Sequence, residues 1–598
     1  MTKTEMSALG WKQCDFIIVT GDAYVDHPSF GAAIIARVLE STGFKVGIIA
    51  QPDWKTDGDW LQLGAPRFGF GITAGNLDSM VNHYTAQKKI RHNDAYSPDD
   101  KAGLRPDRAT IIYCNRVRQL FKNVPVIIGG VEASMRRIAH YDYWQDKIRN
   151  PILADAKADI LVYGMGEKPL LEIADKLRNG IPVREITDVP GTVVFDAPPD
   201  GSDRRPRLSE EPVIPAQAGI QSVLKNNITI LPDAETYSDK AIFHQMSQLF
   251  HHNFQDQIIW QKVAGRFIRH NPPPEPMTEK ELDSVYRLPF MRLPHPRYDG
   301  KTIPAFIQIK DSITTHRGCM GGCNFCTIGY HQGRAIQSRS EQSILKELET
   351  LTKTKTFKGT VTDLGGPSAN MYKIKCRLGF PVSCKRDSCL YPDICRQLET
   401  SHQQSIDLLN KTLKMKAIKH VFVSSGIRYD LALKDENYIR QIAAFHTSGL
   451  LKVAPEHTEP DVLKTMGKPS IKLYLDFCEL FFQASRKAQK NNSIVPYIIA
   501  GHPGSTIEDA IRLGLWLKQQ NLRLEQVQEF TPTSMTVSTC MYYTGLDFET
   551  GKPIYVPKGR DVRLQKALVM WHDPKNKPLV KEALSKSKRL DMLSKYYN

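Results

Sequence analysis

Three cysteines stand in a single short loop, Arg-Gly-Cys319-Met-Gly-Gly-Cys323-Asn-Phe-Cys326, with the spacing C-x3-C-x2-C and an aromatic directly before the third. Three thiolates from one loop can hold three irons of a [4Fe–4S] cluster and leave the fourth iron open. A structural zinc site wants four protein ligands, and a fourth is not evident here. Gly318, Gly321 and Gly322 let such a loop wrap tightly, because glycine accepts backbone angles closed to other residues. A second group follows as Cys376, Cys384, Cys389 and Cys395, spaced C-x7-C-x4-C-x5-C in compact Pro- and Gly-containing surroundings. Four thiolates close either an auxiliary [4Fe–4S] cluster or a zinc site, and the spacing leaves that choice open. Seven of the eleven cysteines lie between Cys319 and Cys395, in a chain otherwise too large and cysteine-poor for a disulfide-stapled module. Cys14, Cys114, Cys478 and Cys540 occupy apolar or mixed surroundings and read as buried structural thiols.

The elements that position these groups form two α/β series. In residues 1–190, CDFIIVTGDAY reads as a buried strand, Ala32 to Thr42 as a helix, and Lys45 to Ala50 as a strand. Ala109 to Cys114, Val124 to Val131 and Asp159 to Tyr163 continue the strand series. This alternation predicts an open, doubly wound, mostly parallel sheet. Its ligand-binding loops, beyond the strand carboxyl ends, would carry Asp22, Gly129-Gly130 and Tyr163 to Glu167.

Residues 191–304 read as a connector with an inserted loop: APPDGSDRRPRLSEEP is Pro-rich and charged, and VIPAQAGIQSV is apolar without flanking periodicity. Ser238 to Gln257 is a helix candidate with Ser238 at its N-cap, and another short helix starts near Thr278. From 305 to 575, strands are expected at Ala305 to Ile309, Gly359 to Asp363, His420 to Ser424, Leu450 to Ala454, Val495 to Ala500 and Leu524 to Phe530. Helices are expected at Glu341 to Thr350, Tyr438 to Phe445 and Ile507 to Gln519. About six βα units make a partial or full parallel TIM-type barrel with its chemistry at the C-terminal rim. The chain turns irregular after Tyr542, and 576–598 reads as a solvated basic helix or tail.

IGGVEASMRRIAHYDYWQDKIRNPILADAKADILVYGMGE, LPFMRLPHPRY, THRGCMGGCNFCTIGYHQGR and VQEFTPTSMTVSTCMYYTG together resemble the YgiQ family of radical S-adenosylmethionine (radical SAM) proteins. The resemblance implies that Cys319, Cys323 and Cys326 ligate a [4Fe–4S] cluster whose open iron binds SAM. An electron from the cluster would cleave SAM to a 5′-deoxyadenosyl radical, supplied through a reductant of flavodoxin or ferredoxin type. Gly365-Gly366 resembles the two-glycine motif that contacts the SAM amino group, with Pro367 where an acid is usual. Ser424, Ser425, Arg428 and Glu456 fall at later strand ends, where ribose and carboxylate contacts are expected. Gly501 to Gly504, with Pro503, resembles the adenine-side loop. His457 and His502 read as structural rather than catalytic.

Many radical SAM enzymes place a cobalamin-binding α/β domain before the barrel, and residues 1–190 resemble one at Gly129-Gly130 and Gly164 to Glu167. Asp26-His27-Pro28-Ser29-Phe30-Gly31 is similar to a cobalamin motif but has its histidine shifted by one, so His27 fails as the ligand and cobalamin stays open. Asp22, His27, Glu132, Arg136, Arg137 and His140 are a dense polar set that a solvated interdomain face explains equally well.

The start MTKTEMSALGWKQCDF shows no basic head followed by an apolar stretch, so a secretory leader is not expected. Apolar runs fall short of the ~18 residues that suggest a membrane span, and a cytoplasmic setting is expected. The formal net charge of +16 allows RNA as a partner without identifying it. Oligomeric state is not legible. The chemistry points to an enzyme that modifies RNA or protein, with small-molecule chemistry or a non-catalytic iron–sulfur or zinc protein as alternatives.

Overall fold

The computed structural model describes residues 2–197, 228–379, 384 and 386–597. The apolar VIPAQAGIQSV stretch and most of the Pro-rich segment before it lie outside the described residues. Two compact units divide the chain: Met1–His83, Arg91–Glu275 and Leu293–Asp299 form one, and Tyr84–Ile90, Pro276–Arg292 and Gly300–Asn598 form the other.

The first unit is built on a nine-stranded sheet. Five parallel strands, β1 (Phe16–Thr20), β2 (Val46–Ala50), β3 (Gly69–Thr73), β4 (Val126–Gly129) and β5 (Ile160–Val162), stand in the order β2-β1-β3-β4-β5. That is a doubly wound order with its switch point between β1 and β3. Helices α1 (Gly31–Ser41) and α2 (Glu167–Arg178) cover one face through Ala36, Leu39, Leu170, Ile173 and Leu177. The sheet continues through β6 (Thr192–Phe195), β7 (Ile228–Ile230), β8 (Ile258–Val263) and β9 (Arg266–His270), in the order β7-β8-β9-β6 beside β5.

Three expectations change here. Residues 192–195 and 228–270 are not a connector, because β6 to β9 complete this sheet. Ala109 to Cys114 is helical, within Ala109–Leu120: the buried Ala109, Thr110, Tyr113, Cys114 and Val117 recur at helical spacing, which a six-residue apolar window hides. The later helix, Lys240–Asn253, is capped by Asp239 rather than Ser238, its carboxylate accepting from the Ala241 and Ile242 N–H groups.

The second unit carries six parallel strand segments in sequence order. They are β10 (Ser312–Thr314), β11 (Thr360–Val361 continuing as Asp363–Gly365), β12 (His420–Val421), β13 (Leu450–Glu456), β14 (Ser493–Ala500) and β15 (Gln528–Glu529). β10 pairs with β11, β11 with β12, β13 with β14 and β14 with β15, while an Ile427–Val453 bridge joins the third and fourth segments. The first strand is therefore Ser312–Thr314. Ala305 to Ile309, expected as a strand, is helical because Pro304 opens a helix at its first position, with Phe306 buried and Ile307 exposed. Inward residues Ile313, Val361, Leu364, Val421, Val423, Leu451, Val453 and Ile494 pack against Ile344, Leu348, Ile406, Leu409, Ile439, Ile442, Phe477 and Phe481 of the surrounding helices.

The C-terminal residues also depart from expectation. Helices α3 (Ile507–Gln519), α4 (Arg560–Val569) and α5 (Lys577–Lys586) share a core of Ile507, Ile511, Leu564, Leu568, Val580, Leu584 and Tyr596. Residues 576–597 are thus a packed helical element with a basic outer face, not a tail. Tyr596 Oη donates to Ile511 O at 2.9 Å, and Gly514 gives that hydroxyl and Leu568 O the room they take.

Candidate metal and ligand site

β10 runs through Thr315, His316 and Arg317 into the first cysteine loop. Gly318 sits at φ +88° where a Cβ would overlap Ala335 O, and Gly322 at φ +59° where a Cβ would lie 2.7 Å from Asp387 O. Both positions require glycine. Asn324 N donates to Met466 O at 3.0 Å, and Ser538 N donates to Asn324 O at 3.0 Å, so the loop is pinned on two sides. Phe325, the aromatic before the third cysteine, packs against Val462, Met466, Ile499 and Phe530.

The three thiols converge. A Cβ on Gly321 would lie 3.4 Å from Cys319 Sγ, 3.7 Å from Cys323 Sγ and 3.0 Å from Arg428 Nη1. Arg428 Nη1 donates to Cys323 Sγ at 3.5 Å, while its Nε and Nη2 engage the Asp430 carboxylate at 2.9 and 2.5 Å. Burial pushes the Cys319 thiol up, with Cys323 adding to the rise and Arg428 easing it. Burial, with Cys323 and Cys319 adding to it, pushes Cys326 up to about 12. Sulfurs crowded together out of water resist ionising alone; metal ions supply the charge that holds them as thiolates. Three facing thiols on a glycine-wrapped loop, with a buried cation beside them, fit three corners of a [4Fe–4S] cluster.

The other expected residues gather on the same strand ends. Thr315 N donates to Gly365 O at 2.8 Å, which sets the two-glycine turn beside the cysteine-loop strand. A Cβ on Gly366 would enter the His316 ring. Asp363 Oδ1 accepts from Ser424 N at 2.7 Å and Ser425 N at 3.1 Å, tying the second strand end to the third. Glu456 is buried at φ +70°, its carboxyl raised by burial and opposed by Lys468 and Arg428. Lys468 Nζ stands 3.8 Å from Glu456 Oε1 and donates to Ala454 O at 2.6 Å.

Gly501 and Pro503 are held by contacts within the fold. Gly501 faces Val562 and donates its N–H to Gln565 Oε1 at 3.0 Å, and Pro503 O accepts from Thr465 Oγ1 at 3.1 Å. His502 is fully buried between Pro503 O at 2.8 Å and Ser538 Oγ at 2.7 Å. The carbonyl can only accept, so Nδ1 carries the proton and Nε2 accepts. His457 is buried as well, its Nδ1 accepting from Glu459 N at 3.1 Å. Both histidines are buried and hydrogen-bonded within the fold. Sequence reasoning missed Asp363, Asp430 and Lys468; the one available signal was Asp430, two residues beyond Arg428.

Of the remaining thiols, Cys14, Cys114 and Cys540 are buried and Cys478 is partly so. In the first unit, the polar set is buried rather than solvated. Arg105, fully enclosed, bridges Asp22 at 2.9 Å and Asp94 at 3.1 Å, and Asn76 N donates to Asp22 at 2.7 Å. Asp22 and Asn76 stand just beyond the ends of β1 and β3. Arg136 pairs with Asp78, and Glu132 accepts from Ser79 and Thr110. Arg137 stacks over the Tyr163 ring, and His27 Nδ1 accepts from Ser29 N at 3.0 Å.

Residues 1–312 match the family model described as Radical SAM N-terminal, 313–517 that of the Radical SAM superfamily, and 525–595 a domain of unknown function, DUF3362. A UPF0313 protein of Rhodopseudomonas palustris is 47% identical over 606 residues, covering 99% of this chain and 89% of the relative. The UPF0313 protein YgiQ of Escherichia coli K12 is 45% identical, covering 98% and 85%. Among solved structures, the radical SAM methyltransferase TsrM from Kitasatospora setae, with cobalamin and a [4Fe–4S] cluster bound, aligns with a TM-score of 0.50 at 13% identity. That alignment covers 97% of this chain and 98% of TsrM, and it shows a shared fold. No helix among the described residues is long and apolar enough to cross a membrane.

Proposed function

The chain belongs to the YgiQ (UPF0313) family of radical SAM proteins, and we propose that it is an enzyme in which Cys319, Cys323 and Cys326 carry a SAM-cleaving [4Fe–4S] cluster. The observation that carries this reading is the convergence of those thiols, with Arg428, beside the Gly365-Gly366 turn. When bound there, the cluster supplies the electron that splits SAM into methionine and a 5′-deoxyadenosyl radical.

The protein's own residues bind and orient. Arg428 and Lys468 provide positive charge for the SAM carboxylate, and Glu456, 3.8 Å from Lys468, is the acidic counterpart that the two-glycine turn lacks at Pro367. Gly365 and Gly366 let backbone approach the ligand. Phe325, with Ile499 and Phe530, forms an apolar wall that keeps water from a radical. The test is a spectroscopic titration: SAM added to the reduced, reconstituted protein should change the EPR signal of the cluster. An unchanged signal at saturating SAM would remove the assignment.

The substrate we favour is a macromolecule, RNA before protein, supported by the formal charge of +16. Binding of tRNA that weakens steeply between 50 and 200 mM salt would support this; absence of binding at low salt would return the choice to small molecules.

A further inference from the structure

The second cysteine group lies in a stretch, 372–402, that among the described residues contains no helix or strand. Its order must come from other contacts. Cys376 forms an isolated antiparallel bridge with Leu398, Leu398 N donates to Cys395 O at 3.0 Å, and Cys395 N donates to Cys389 O at 2.8 Å. Three cysteines are thereby folded onto one another. Cys395, Cys384 and Cys376 lie close enough to Cys389 to act on its thiol electrostatically.

This stretch is also fastened to the first cysteine loop. Cys389 N donates to Met320 O at 3.1 Å, and Ser388 Oγ donates to Gly321 O at 2.7 Å. The same hydroxyl accepts from Leu390 N and Tyr391 N. Cys319, Cys389 and Cys395 pack against one apolar cluster of Met320, Met371, Ile374, Leu390, Leu398 and Leu431. All four cysteines are free of disulfides. Among the described residues, no three of their sulfurs lie within 4.8 Å of one another. Tetrahedral zinc, with Zn–S bonds of ~2.3 Å, would hold them about 3.8 Å apart. The sulfurs of Cys319, Cys323 and Cys326 likewise do not all lie within 4.8 Å of one another.

We propose that Cys376, Cys384, Cys389 and Cys395 bind a second [4Fe–4S] cluster, ligated by four thiolates, whose loop clamps the backbone of the first cysteine loop at Met320 and Gly321. Four thiolates leave no iron open, so this cluster does not bind SAM. The assignment does not depend on SAM chemistry at the first site.

The experiment counts metal in the full-length protein after anaerobic reconstitution. The native chain should hold about eight irons and eight sulfides and no stoichiometric zinc. A variant with Cys319→Ser, Cys323→Ser and Cys326→Ser should keep about four irons, with an EPR signal that SAM leaves unchanged. The complementary variant, Cys384→Ser with Cys389→Ser, should keep about four irons whose signal SAM shifts. If that variant does not fold, the triple variant decides alone. Four irons with one zinc in the native chain, four irons without zinc, or an iron-free triple variant would each overturn the proposal.

Discussion

Arg428 reaches Cys323 Sγ with Nη1 at 3.5 Å while Asp430 grips the other two guanidinium nitrogens. The cation is buried, so its field on the sulfurs is little screened. An N–H donated to a cluster sulfur, and a positive charge beside it, favour the reduced state. Arg428→Gln should therefore lower the reduction potential of the first cluster, on the order of tens of mV, in an EPR-monitored redox titration. An unchanged potential would contradict the contact.

Asp430→Asn tests the same relationship from the other side. Removing one partner of a buried ion pair strands the other charge, at a cost of ~3–5 kcal/mol. The variant should unfold at markedly lower denaturant than the native chain, and the double variant with Arg428→Met should recover part of the loss.

The loop's glycines separate into required and tolerant positions. Gly318→Ala adds a Cβ onto Ala335 O at a positive φ, whereas Gly329 has open space around it and an ordinary backbone. Iron content of the reconstituted protein should fall by half or more in Gly318→Ala and stay at the native level in Gly329→Ala. Equal loading of both would show that the loop is not held as described.

At the two-glycine turn, a Cβ on Gly365 would overlap Ser425 Oγ. Overpacking of this kind costs ~1–3 kcal/mol, so Gly365→Ala should weaken SAM binding roughly five- to 150-fold by calorimetry. Adding Ser425→Gly should restore part of it. Failure of that rescue would place the SAM contact elsewhere.

His502 gives a pH dependence. Burial, partly offset by its bond to Pro503, lowers its pKa to about 3 in the folded protein, against about 6.5 when unfolded. Folded and unfolded states bind protons equally above pH 6.5; below it the unfolded state alone takes one, so stability falls as pH drops toward 3. His502→Gln should show a shallower loss of unfolding midpoint between pH 6.5 and 4. Parallel curves would mean that His502 is not buried as a neutral ring.

Both cysteine groups were legible because their spacing is local. Gly365, Gly366, Ser424, Ser425 and Arg428 are picked out by the family resemblance, at positions that follow apolar strands. Their partners are not. Asp363 acts on Ser424 from 61 residues away, and Ser388 holds Gly321 from 67. Such pairings exist only once the strands are aligned. Short apolar windows misled at Ala109 to Cys114 and Ala305 to Ile309, where helical burial and Pro304 decided the local structure. β6 to β9 are not legible in the sequence because the pairing of 193–195 with 268–270 spans the charged Pro-rich segment that reads as a connector.

The central claim is that Cys319, Cys323 and Cys326 hold the cluster that cleaves SAM. It is tested most directly by 5′-deoxyadenosine formation from SAM and dithionite under anaerobic conditions. The native protein should form 5′-deoxyadenosine, and Cys319→Ala should form none while keeping about four irons at the second site. Unchanged turnover in Cys319→Ala would contradict the account.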